Sequence, residues 1–111
     1  MSRLPQVDLA IVSERKITHF LLCDSHRVGG AKFAFFKSFG FRTDAPGILA
    51  AALLAHAGTH EVTIVHTAPH GTKYEIIGPS QAPDGRLPIV TTVWIVLAGE
   101  AVPRLVTAVP D

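Results

Sequence analysis

Cysteine, tryptophan, tyrosine and methionine occur once each in a chain of 111 residues. A lone thiol, Cys23, excludes an internal disulfide and suits a reducing compartment. Asp24 beside it does nothing to activate a thiolate, so Cys23 reads as a small apolar residue rather than a nucleophile. Charge is scarce as well, with 10 Lys and Arg against 9 Asp and Glu, a net +1. So even a balance exerts no long-range pull on nucleic acid or membranes, and contact with either needs local clustering. Long apolar runs are missing too. The longest stretch free of charged side chains and strong polarity, Ala45–Ala57, falls well short of the ~20 residues that span a bilayer. Residues Met1 to Asp8 lack the basic start and apolar run of an export signal. The expectation is a cytoplasmic protein with no membrane partner.

What is abundant is apolar surface, at 48% of residues. That share argues against disorder and leaves area for a second copy of the chain or another protein to cover. The length is that of one domain, 1–111.

Pattern then divides the chain in two. Ser13 is placed to cap a helix whose Ile17, Phe20 and Leu21 share a face and which ends near Cys23. A loop follows through Gly29-Gly30, and a second helix is predicted over Ala31–Phe39, closed by Gly40. Asp44 is placed to cap a third, with Pro46 in its first turn, a stripe of Ile48, Leu49, Ala52 and Leu53, and Gly58 as its stop. From Glu61 the β-branched content rises, and strands are predicted at Glu61–Thr67, Lys73–Gly78, Ile89–Leu97 and Arg104–Val109. Short turns such as Pro83-Asp84-Gly85 favour an antiparallel meander. The expected fold is α+β, with about three N-terminal helices on one face of a four-stranded antiparallel sheet.

Six histidines raise the question of a metal. His56 and His60 are four apart, but Gly58 is expected to break the helix that would align them. His66 and His70 flank a turn with proline, and no cysteine pair or His-Glu-x-x-His run supports either pair, so no metal and no cofactor is expected. A phosphate-binding loop is also absent, since Lys32 is followed by Phe33 rather than Ser or Thr.

Basic groups do cluster. Residues 13–42 carry Arg15, Lys16, Arg27, Lys32, Lys37 and Arg42 against Glu14 and Asp24. His26 and Lys32 near the second helix, Lys73 and Tyr74 on a strand, and Arg104 and Thr107 on the last strand make up the parts for metal-free RNA cleavage. A histidine can take the 2′-hydroxyl proton, Lys and Arg can stabilise charge on the phosphate, and a hydroxyl can donate to the same oxygens. Taken singly, each has a plainer role: His26 a loop hydrogen-bonder, Arg104 a solvated charge, Thr107 a strand residue in an apolar row with Leu105 and Val109.

The stretches Lys16-Ile17-Thr18-His19-Phe20, His26-x-x-Gly29-x-Ala31-Lys32, Gly71-x-Lys73-Tyr74, Pro83-Asp84-Gly85-Arg86, Val93-Trp94-Ile95 and Pro103-Arg104-Leu105-Val106-Thr107 resemble a bacterial family that carries only an unknown-function label. More loosely, the order of elements is similar to the barnase–EndoU–colicin–RelE group of small ribonuclease toxins. That resemblance implies metal-independent RNA cleavage by His26, Lys32, Lys73, Arg104 and Thr107; with the residue reading above, His26, Lys32, Arg104 and Thr107 are expected to be catalytic and Lys73 and Tyr74 to bind substrate. RNA is then the expected partner, and His26, Lys32 and Arg104 should converge on one phosphate-sized site. The alternative is a non-enzymatic interaction module, immunity- or antitoxin-like or homodimeric, with an apolar patch in place of a charged cleft. A third reading is a small-molecule site between helices and sheet.

Overall fold

Helical periodicity gives way to β-branched runs near residue 61, and the architecture changes there too. The computed structural model describes residues 3–13, 15, 17, 30–42 and 44–110, with the backbone alone for 30–33. Two α-helices, α1 (Gly30–Ser38) and α2 (Pro46–Thr59), precede four strands, β1 (Ile64–Ala68), β2 (Gly71–Pro79), β3 (Ile89–Leu97) and β4 (Arg104–Pro110). The strands form one antiparallel sheet in the order β1-β2-β3-β4. This is the expected α+β class, with two α-helices rather than about three among the described residues. The helix expected over Ser13–Cys23 falls mostly outside them. One of its turns is visible, where the Ile17 N–H donates to the Ser13 carbonyl at 3.2 Å.

Helix α1 ends as its sequence dictates. Gly40 takes a φ of +99°, its N–H bonds the Lys37 carbonyl, and the Phe41 N–H reaches back to the Phe36 carbonyl. A left-handed residue with these two bonds satisfies the orphan carbonyls of the last turn and brings Phe41 against Phe36, whose rings meet edge-on at 5.8 Å. The β2–β3 loop locks this end down. Arg86 donates to the Ser38 carbonyl at 2.6 Å and lies over the Phe39 ring, and Asp84 holds Arg86 in turn.

Helix α2 departs from expectation at both ends. Asp44 does not cap it, because Arg42 takes both carboxylate oxygens at 2.8 and 2.7 Å and holds that carboxyl below its usual range. Nor does Gly58 stop it. The helix runs on to Thr59, where the Thr59 hydroxyl donates to the Ala55 carbonyl and the His60 ring to the His56 carbonyl. Those bonds offset the ~1 kcal/mol cost of a helical glycine.

Both helices pack on the same side of the sheet. Phe36, Leu49, Leu53 and Ala57 are buried against Ile76, Val90, Trp94, Leu105 and Ala108. Ahead of the helices, Ile11 bridges Arg104 in parallel beside β4. That edge of the sheet thus gains a single bridge, whereas β1 leaves its outer edge open among the described residues.

Candidate functional site

Side chains alternate between the two faces of a strand, so register decides which residues meet. Tyr74, Ile76 and Gly78 of β2 share the helix-covered face with Val90, Thr92 and Trp94 of β3, which they oppose. The other face carries three rows across the sheet. His66, Lys73, Ile95 and Arg104 form one row. Ile64, Glu75, Val93 and Thr107 form the next, and Ile77, Thr91 and Val109 a third. No described element covers this face.

The placement of Thr107 depends on an irregularity. Simple alternation predicts Leu105, Thr107 and Val109 in one row. Instead the register shifts between Val93 and Trp94, which face Thr107 and Leu105, so Val106 is passed over. That bulge reverses the phase of the strand. Leu105 and Ala108 are buried under the helices, while Arg104, Thr107 and Val109 take the open face.

Strands lie ~4.8 Å apart, so Lys73 and Arg104, two strands apart, have backbones roughly 10 Å apart and side chains able to meet on one phosphate. Between them lies only Ile95. The Arg104 guanidinium rests 3.4 Å from Glu100, with both groups about half exposed. His66 Nε2 lies 3.2 Å from a Glu75 oxygen, and its side chain is 61% exposed. No described residue forms an ion pair with the Lys73 ammonium. The face therefore carries two cations, an imidazole–carboxylate pair and two threonines, Thr91 and Thr107.

Three of the six residues singled out from the sequence, Lys73, Arg104 and Thr107, thus share one surface. Tyr74 does not. It follows Lys73 in the strand and so turns to the opposite face, half-buried against the core. His26 lies outside the described residues. Only the backbone of Lys32 is described, in the first turn of α1, and that helix sits across the sheet from the Arg104 side chain. The expected convergence of His26, Lys32 and Arg104 thus turns on side chains that lie outside the described ones. His66 and Glu75 were missed by sequence reasoning. The hairpin held the signal: a two-residue Pro69-His70 turn pairs Ala68 with Gly71 and so sets His66 opposite Lys73.

His56 and His60 do share an unbroken helix end, contrary to expectation, and their rings stack at 4.8 Å. They do not form a metal site. His56 is buried, and its Nε2 lies 3.1 Å from the carbonyls of both Gly78 and Val90. Two acceptors fix the proton on Nε2, leaving Nδ1 to accept from Thr92 at 3.1 Å, while Thr92 accepts from the Trp94 indole at 3.0 Å. Every polar atom in this chain is paired with the imidazole neutral, and burial lowers its pKa below the ordinary histidine value. Among the described residues, no group of three or more His, Cys, Asp or Glu could hold a metal ion.

Surface hollows lined by described residues lie elsewhere. One of about 330 Å³ is lined by Val12, Ile17, Pro46, Gly47 and Ala50, without a converging set of polar groups. No described helix is long and apolar enough to cross a membrane.

A family model described as Domain of unknown function (DUF6883) matches residues 3–111. No curated protein matches the sequence. Among solved structures, the chain is similar to one from a contact-dependent growth inhibition toxin–immunity protein complex from Klebsiella pneumoniae 342. The TM-score is 0.67 at 13% identity, over 91% of this chain and 99% of that one. At that identity the likeness is one of fold.

Proposed function

The chain belongs to the family Domain of unknown function (DUF6883), and we propose that it is a metal-independent ribonuclease of the small toxin type. What supports this reading above all is the shared open face of Lys73, Arg104 and Thr107. Lys73 and Arg104 bracket a phosphate and stabilise charge building on its oxygens. The Thr107 hydroxyl, one row away, donates to the same group. The 2′-hydroxyl then attacks the adjacent phosphorus, a step that needs no cofactor once a base is in place. A fold shared with a chain from a toxin–immunity protein complex agrees with this role and with a protein partner.

The test is cleavage of a labelled mixed-sequence RNA in EDTA. Wild type leaves 2′,3′-cyclic phosphate ends, and Lys73→Ala and Arg104→Ala each lose at least tenfold in kcat/KM. A folded wild type that leaves the RNA intact overturns the reading.

One observation favours a second reading, an interaction module of the immunity or antitoxin kind, or a homodimer. The same open face carries Ile77, Ile89, Val93, Ile95, Leu97 and Val109, and Ile89 is 45% exposed. Such a surface fits a protein partner as well as a substrate. Sedimentation of the RNA-inactive protein, alone and in a mixture with candidate partners, separates the two.

A further inference from the structure

Among the described histidines, burial and bonding leave one in a position to do chemistry on the open face. His56 has both ring nitrogens engaged in the core. His60 bonds the end of its own helix, and its ring fills the space a Cβ on Gly78 would need, 2.2 Å from that position. His70 lies in the β1–β2 turn, off the three rows. His66 stands in the row of Lys73 and Arg104, accessible, with a carboxylate already on one nitrogen.

We infer that His66 is the general base of this site and Glu75 the residue that positions it, an assignment that rests on the ribonuclease reading above. With Nε2–H donating to Glu75 at 3.2 Å, the lone pair sits on Nδ1. The carboxylate fixes the tautomer and ring plane and stabilises the imidazolium formed when a proton arrives. Nδ1 takes the proton of the RNA 2′-hydroxyl. The 2′-oxygen forms its bond to phosphorus as the P–O5′ bond breaks, and the 5′-oxygen leaves with that electron pair and takes a proton from water. The products are a 2′,3′-cyclic phosphate and a 5′-hydroxyl. His66 returns its proton to solvent, so atoms and charge balance with no co-reactant.

Position in the row favours this over a solvated edge pair. Lys73 is the direct cross-strand partner of His66, with backbones ~5 Å apart. A phosphate held by Lys73 thus brings its neighbouring ribose to the imidazole. Glu75 shares the row of Thr107, one step along the sheet, so the carboxylate lies behind the histidine rather than between the two cations.

The experiment compares wild type with His66→Ala, Glu75→Ala, Glu75→Gln and His26→Ala in steady-state cleavage of a labelled oligoribonucleotide, with thermal melts as a fold control. His66→Ala lowers kcat by at least 100-fold with KM within threefold. Glu75→Ala lowers kcat about tenfold without raising KM, and Glu75→Gln, which can still accept from the ring, recovers part of the loss. Retained activity in folded His66→Ala, or loss in His26→Ala instead, overturns the assignment and leaves the ribonuclease reading standing. An inactive wild type sinks both. A Glu75→Ala effect that appears as a lower Tm with unchanged kcat overturns the positioning role alone.

Discussion

The two faces of the sheet hold the same chemical groups and use them in opposite ways. On the helix side, His56, Thr92 and Trp94 form a chain in which each polar atom has a partner, closed off from water. On the open side, His66, Thr107 and two cations stand across three strands, with water-accessible imidazole and ammonium groups. Burial makes the difference. A buried imidazole must be neutral and fully bonded to avoid a desolvation penalty, so it is committed to structure. An exposed one stays within reach of solvent and of a bound molecule. Histidine in this fold is locked into the core or accessible according to which side of one sheet it faces.

The strongest way to break that comparison is to remove the buried member. His56→Ala strands two carbonyls and the Thr92 hydroxyl in the core, at about 1–3 kcal/mol for each unsatisfied group. The bonds share one donor and water enters the cavity, so a total loss near 3 kcal/mol is expected, read as a drop in denaturation midpoint. An unchanged midpoint would mean that His56 is not the anchor between α2 and the sheet.

Acid sharpens the same point. Burial lowers the His56 pKa in the folded state, so below the unfolded histidine value of ~6.5 the unfolded chain binds the extra proton. Its contribution to stability is complete above that pH and falls as pH drops toward the folded value, with a slope of at most about 1.4 kcal/mol per pH unit. Urea melts between pH 7.5 and 5 should show this loss, and His56→Gln should flatten it. Equal slopes in both proteins would assign the acid sensitivity to other groups.

The fold was largely legible in the sequence because its signals are local. Gly40 announces the end of α1, and β-branched runs mark the four strands. The site was less legible because it depends on phase across strands. One passed-over residue, Val106, sends Thr107 to the face opposite Leu105, and no local pattern in Arg104–Val109 announces it. Tyr74 was paired with Lys73 by adjacency, the one spacing that guarantees opposite faces. His56 was readable, since Leu49, Leu53 and His56 fall at helical spacing in a buried stripe. Weighing it only with His60 as a metal pair passed over that pattern.

A smaller effect is expected where the two faces meet the helix end. A Cβ on Gly78 would overlap the His60 ring at 2.2 Å, so Gly78→Ala must displace that ring from its bond to the His56 carbonyl. The expected cost is about 1–2 kcal/mol. His60→Ala removes the obstacle, so the double variant should lose less than the sum of the single ones. Additive losses would place the strain elsewhere in β2.

The smallest effect tests whether the open face is poised for anions. Arg104 rests against Glu100 at 3.4 Å with both groups about half exposed, a pair of the kind worth between nothing and 1 kcal/mol. An RNA phosphate must displace Glu100 from the guanidinium, and bidentate phosphate contacts are the stronger bonds. Glu100→Gln relieves that competition and removes a charge that repels the substrate. It should therefore lower KM for RNA two- to fivefold at low salt, with kcat unchanged, and the gain should shrink as salt screens the charges. The helix face offers the control: Asp84, held by Arg86 against α1, faces no part of this surface, and Asp84→Asn should leave KM unchanged. If Asp84→Asn and Glu100→Gln lower KM alike, the gain is one of net charge, and Arg104 holds no particular phosphate.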